Sequence, residues 1–116
     1  MARRTPTAAG LSALAQWQAG ALDRATLATA VRFTLALLEQ RAPGRSVEVR
    51  VPPFGAVQIV EGTSHRRGTP PAVIEMDART WLELATGTLN WADAVAAARV
   101  DASGERADLS ALLPLA

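Results

Sequence analysis

The spacing of apolar residues changes from a period of about 3.6 to a period of about 2 within a few positions, and this restricts the chain to a mixed α and β fold. Over residues 24–41, Leu27, Ala30, Val31, Leu35, Leu37 and Leu38 share one wide helical face, while Thr29, Arg32, Glu39 and Gln40 share the other. Asp23 stands at the N-cap position and Pro43-Gly44 stops the helix. Directly afterwards Ser46-Val-Glu-Val-Arg-Val51 alternates without a break, with Val47, Val49 and Val51 on one side and Glu48 and Arg50 on the other. A helix and a strand that each keep one side wet need two layers, packed through their apolar faces.

The remaining elements follow the same local rules. Pro52-Pro-Phe-Gly55 turns the chain into a second extended segment, 56–61, so the two strands read as an antiparallel hairpin. A polar loop over 62–71 leads to a third strand at 72–76. Asp77 is placed to cap a helix over 78–86, with Ala78, Trp81, Leu82, Leu84 and Ala85 inward, and with Arg79 and Glu83 outward, one turn apart. Gly87 is its left-handed stop. Asn90 with Asp93 approximates a capping box for 91–98, whose stripe is Trp91, Ala94, Val95 and Ala98. Residues 99–103 read as a fourth strand, and Gly104 leads into a closing segment expected as a short helix ended by Pro114. Upstream, Thr5-Pro6 opens a weaker helix over 6–18, with the threonine as cap and the proline at the first helical position, and with Leu11, Leu14 and Gln18 on one stripe, broken at Gly20. The expected order is ααβββααβα, a small α+β domain with helices on one face of a mostly antiparallel sheet.

Composition narrows the function classes. At 116 residues the chain is one domain. All twelve basic residues are arginine and eleven acids nearly balance them, so the net charge of +1 does not support a nucleic-acid footprint. Without cysteine there are no disulfides, thiolate metal sites or thiol nucleophiles, and a single histidine, His65, excludes schemes that need two. No apolar run approaches the ~20 residues of a membrane span. Met-Ala-Arg-Arg4 lacks the apolar stretch of a secretory signal, so the expected location is the cytoplasm.

Candidate sites each have a plainer counterpart. His65-Arg66-Arg67 concentrates positive charge and could meet an anionic head group, or it is simply a solvated loop. Trp81 and Trp91 sit on the buried stripes of consecutive helices, either as core filler or as walls of an apolar pocket. Glu61, Glu75 and Asp77 oppose no nucleophile, Ser103 has no partner base, and no glycine-rich phosphate loop joins a strand to a helix. No cofactor or metal is expected, and catalysis by this chain alone is not indicated.

Three stretches resemble the C-terminal half of the sterol carrier protein type 2 fold: Met76-Asp-Ala-Arg-Thr-Trp-Leu-Glu-Leu-Ala-Thr-Gly87, Leu89-Asn-Trp-Ala-Asp-Ala-Val95 and Arg99-Val-Asp-Ala-Ser-Gly104. They match an acidic residue opening a helix of the form D…W/F-L-x-L-x-x-G, a second helix with an inward aromatic, and a strand ending in glycine. Ala42-Pro-Gly-Arg-Ser-Val-Glu-Val-Arg-Val-Pro-Pro-Phe54, Val-Glu-Gly62 and Arg67-Gly-Thr-Pro-Pro71 are similar to the compact actinobacterial branch of that superfamily. On this reading residues 22–116 form the domain and 1–21 an N-terminal extension. Many relatives carry glycine after the second short helix, where this chain reads Ala97-Ala98-Arg99, so the entry into the last strand is expected to differ.

The resemblance implies a sheet of about five strands covered by helices, with an apolar cavity between the layers that holds an acyl chain, sterol or other lipid. Its walls would be Ile59, Met76, Trp81, Leu84, Trp91, Val95, Leu109, Leu112 and Leu113, with His65, Arg66 and Arg67 as head-group contacts. The partner is then a lipid or another apolar small molecule, without nucleic acid and without stable membrane insertion. The alternative is a regulatory or interaction module with a filled core, acting as a homodimer or on a partner enzyme. Similar domains are fused to actinobacterial thiol-dependent isomerases and N-acetyltransferases. The closing residues 105–116, with Leu109, Leu112 and Leu113 inward, are expected to shut one end of the two layers.

Overall fold

A computed structural model describes residues 5–62, 72–104 and 107–115. Two helices come first, α1 (Thr7–Gln18) and α2 (Arg24–Arg41), followed by β1 (Pro43–Val51), β2 (Gly55–Ile59) and β3 (Ala72–Glu75). The short helices α3 (Ala78–Thr86) and α4 (Trp91–Ala96) precede the last strand, β4 (Asp101–Ser103). The fold is α+β as expected, with four strands among the described residues in the order β2-β1-β3-β4.

The sheet is mixed. β1 pairs antiparallel with β2, placing Val49 opposite Val57, and parallel with β3, placing Val49 beside Ile74. β3 runs antiparallel to β4, with Ile74 opposite Ala102. Alternation along each strand then sorts the residues into two faces. Val47, Val49, Val51, Ile59, Ala72 and Ile74 are buried on the inner face. The outer face carries Glu48, Gln58, Arg50, Glu75 and Asp101, with Glu48 paired to Arg50. The Arg50 hydrogen bond, helped by a bond from Gln58 and by the Arg50 charge, outweighs burial and holds the Glu48 carboxyl below its usual range.

Close backbone approach pins the start of β1. Gly44 lies in a conformation open to glycine (φ 153°), and a Cβ there would fall 2.1 Å from the Val60 carbonyl. The register slips between Pro43 and Val47 at this pinch. Val60 is itself left-handed (φ 65°), unusual for a β-branched residue. Its carbonyl accepts from both the Ser46 amide and hydroxyl, and its amide donates to the Ala42 carbonyl.

α2 is buried on more than one side. Leu35 approaches Gly55 on the sheet, Phe33 meets α1 and Thr34 meets α3. The approach of α1 is unusually close, because a Cβ at Gly10 would lie 2.1 Å from the Phe33 ring. This overturns the expected α1 stripe. Gly10, Ala13 and Leu14 are buried, whereas Leu11 is 53% exposed and Gln18 is exposed. The expected threonine cap is also absent: Pro6 holds the N-cap position without a side-chain hydrogen bond.

The other caps are as expected. Asp23 accepts from the Thr26 amide, Asp77 from the Thr80 amide, and Asn90 from the Asp93 amide at 2.8 Å. The Asn90 side-chain amide also donates to the Asp93 carboxylate at 3.0 Å, a side-chain pair that stands in place of the backbone half of a capping box. Gly87 ends α3 at φ 84°. Past α4, Ala98 is left-handed (φ 55°), a backbone conformation that strains an L-residue. The closing segment departs from expectation: residues 110–112 form a turn, and 107–115 contain no helix.

Candidate functional site

The inner face of the sheet and the helices above it enclose one apolar cluster. Ile59 and Met76 enter it from the sheet side, Trp81 and Leu84 from α3, Trp91 from α4 and Leu109 from the closing segment, all of them buried. Leu112 and Leu113 are half-buried against it. Val95 is not part of it. Within α4 the buried positions are Trp91 and Ala94, and Val95 turns out at 49% exposure. Ala98, expected on the same stripe, is also exposed. His65, Arg66 and Arg67, the proposed head-group contacts, lie outside the described residues.

Trp81 organises the interior. Its side chain is fully buried, and the indole Nε1 donates to the Thr34 hydroxyl at 2.7 Å. Thr34 in turn directs its hydroxyl to the Ala30 carbonyl one turn earlier, also at 2.7 Å. Both polar groups are thus satisfied in an apolar setting, which an unpaired indole N–H would not tolerate cheaply. Sequence reading passed over Thr34 because it is polar, although its spacing from Ala30 and Leu38 puts it at the centre of the α2 stripe. Phe33 was missed for another reason: it faces α1, a second surface that periodicity against one core does not reveal.

The closing segment is tied across the ends of two helices. Arg41, at the end of α2, donates through one guanidinium nitrogen, Nη1, to the Leu112 and Pro114 carbonyls, at 2.9 Å each. The Leu115 amide donates to the Ala85 carbonyl of α3 at 2.7 Å. Asp108 accepts from the Ser110 amide at 2.8 Å, and this bond is the main cause of its lowered pKa.

A separate polar groove of about 550 Å³ opens at the end of the sheet, lined by Pro52, Glu75, Met76, Asp77, Ala98, Arg99, Val100 and Asp101. Of the expected cavity walls it touches Met76 alone. Asp77 is occupied in capping α3. Burial pushes its carboxyl pKa up, but the Thr80 hydrogen bonds and the Arg99 and Arg79 charges outweigh it, leaving the pKa below the ordinary value. Arg99 reaches Thr80 and, at 2.7 Å, Glu83. Glu83 also meets Arg79 at 3.2 Å, as the sequence spacing predicts. Burial raises the Glu83 pKa, but its two arginine partners bring it below normal. Among the described residues no group of three or more His, Asp or Glu side chains could hold a metal ion.

Among the described residues no helix is long and apolar enough to cross a membrane. A family model described as "bacterial SCP ortholog", a sterol carrier protein family, matches residues 23–115. α1 lies outside that match. No curated protein matches the chain.

Proposed function

The chain belongs to the bacterial SCP ortholog family, and on that premise we propose that it is a lipid-carrier-type domain that holds an apolar chain between its sheet and helices and performs no chemistry of its own. The observation that supports this most is the apolar layer itself. The inner sheet face, α2 and α3 enclose it, and one end is covered by a leucine-bearing segment without helix or strand. Burial of an acyl chain there would be worth about 0.8 kcal/mol per methylene, so selectivity would follow chain length and shape more than head group. Of the expected walls, Ile59, Met76, Trp81, Leu84, Trp91 and Leu109 remain in this proposal, with Leu112 and Leu113 at the margin. Native mass spectrometry of protein purified without detergent is expected to show bound lipid. A chain that carries none, and that leaves the emission of a fluorescent fatty-acid analogue unchanged, would not be a carrier.

One observation favours the second reading, an interaction module acting on a partner enzyme. Trp81 sits fully buried in the interior with its N–H already satisfied by Thr34, which supports a core that needs no guest. Under that reading an enzyme co-purifies with the chain and no lipid is found.

A further inference from the structure

An apolar ligand can reach an interior walled by buried side chains only where some wall moves at low cost. Residues 107–115 meet that condition. They carry neither helix nor strand, and the hydrogen bonds that tie them to the helices beneath come from two points, the Arg41 guanidinium and the Leu115 amide. Leu109 is buried to 1% exposure, while Leu112, Leu113 and Leu115 are half-buried. Swinging the latter three outward therefore costs less apolar surface than freeing a core leucine, with Leu109 left in place as the anchor. Arg41 itself is exposed, so its side chain supports the segment from outside and fills no part of the core.

We propose that residues 107–115 form the gate to the apolar interior, and that Arg41 is the latch that sets how often the gate opens. The inference rests on the carrier reading. Arg41 is a positioning residue: it touches two backbone carbonyls of the gate and acts on the ligand only through them.

The test compares the unmodified chain with Arg41→Met, which keeps the apolar stem, and Arg41→Lys, which restores a charged donor. Stopped-flow mixing with cis-parinaric acid gives uptake and release rates, equilibrium titration gives Kd, and hydrogen exchange follows the Leu115 and Val49 amides. Losing the latch should speed both uptake and release by roughly three- to tenfold and leave Kd unchanged. Exchange at Leu115 should accelerate while Val49, in the centre of the sheet, keeps its protection, and Arg41→Lys should fall between. If Leu115 exchanges faster with no change in uptake, the segment opens but is not the route, and the proposal is overturned. A changed Kd with unchanged uptake overturns it as well, since Arg41 would then act on the bound state. Failure of the unmodified chain to bind cis-parinaric acid removes the carrier reading and the gate with it, whatever the exchange data show.

Discussion

A hydroxyl and an indole nitrogen decide how the centre of this molecule is held. Thr34 and Trp81 are distant in sequence, yet their hydrogen bond is what allows the largest core side chain to sit fully buried. Thr34→Val keeps the shape and leaves the indole N–H without a partner, so stability should fall by about 1–3 kcal/mol in urea unfolding. Trp81→Phe in the same background removes the orphaned donor, and the double-mutant cycle should show coupling on the order of 1 kcal/mol. Ala98 presents the opposite case. It occupies a left-handed conformation that costs an L-residue about 1 kcal/mol or more, and nothing but its backbone requires it there. Ala98→Gly is therefore expected to raise the unfolding midpoint, a gain of up to about 1 kcal/mol after glycine's own entropy cost. An unchanged or lowered midpoint would refute it.

Between neighbouring elements, fit outweighs propensity. Glycine inside a helix is ordinarily the weaker choice, and alanine would gain about 1 kcal/mol. At position 10 the sign reverses, because the new methyl group would overlap the buried Phe33 ring. Gly10→Ala should destabilise the protein by about 1–3 kcal/mol and deprotect α1 amides first in hydrogen exchange. This position also shows which parts of the fold can be read from sequence. Caps at Asp23, Asp77 and Asn90, the stop at Gly87 and the alternation of 47–51 were legible because each is settled within a few residues of chain. The outward turn of Leu11 was not, because it depends on α1 meeting α2 through Gly10. Nor was the parallel pairing of β1 with β3, a choice made between strands rather than within them. The closing segment read as a helix because its leucines have helical spacing. What holds it instead is an arginine 71 positions earlier in the chain. At the candidate site, the buried tryptophans were visible from their stripes, Val95 could not be told from its buried neighbour Ala94 by spacing alone, and Thr34 was hidden by its polarity.

Acidity should act on the molecule as a whole through Asp77 and Glu83. Both carboxyls have folded-state pKa values below their ordinary ones, so the stability they add is present above the unfolded values near 4 and is lost as pH falls through the folded values. Urea midpoints should hold steady above about pH 5 and drop as the medium is acidified below about pH 4. Glu83→Gln should make that drop shallower while lowering the midpoint at pH 7, and an equally steep acid limb in the variant would contradict the assignment. Ending the chain at Gly104 removes buried Leu109 together with three half-buried leucines. Truncating one buried leucine typically costs about 2–5 kcal/mol, so the shortened protein should bind a hydrophobic dye and unfold at markedly lower urea. A truncated chain with an unchanged midpoint would show that these leucines carry little of the fold. Finally, α2 touches the sheet through Leu35, α1 through Phe33 and α3 through Thr34. Its exposed positions are reduced to Arg24, Ala25, Arg32, Glu39, Gln40 and Arg41. Among natural variants of this chain α2 should drift most slowly, and those six positions are where its inheritance has room to vary.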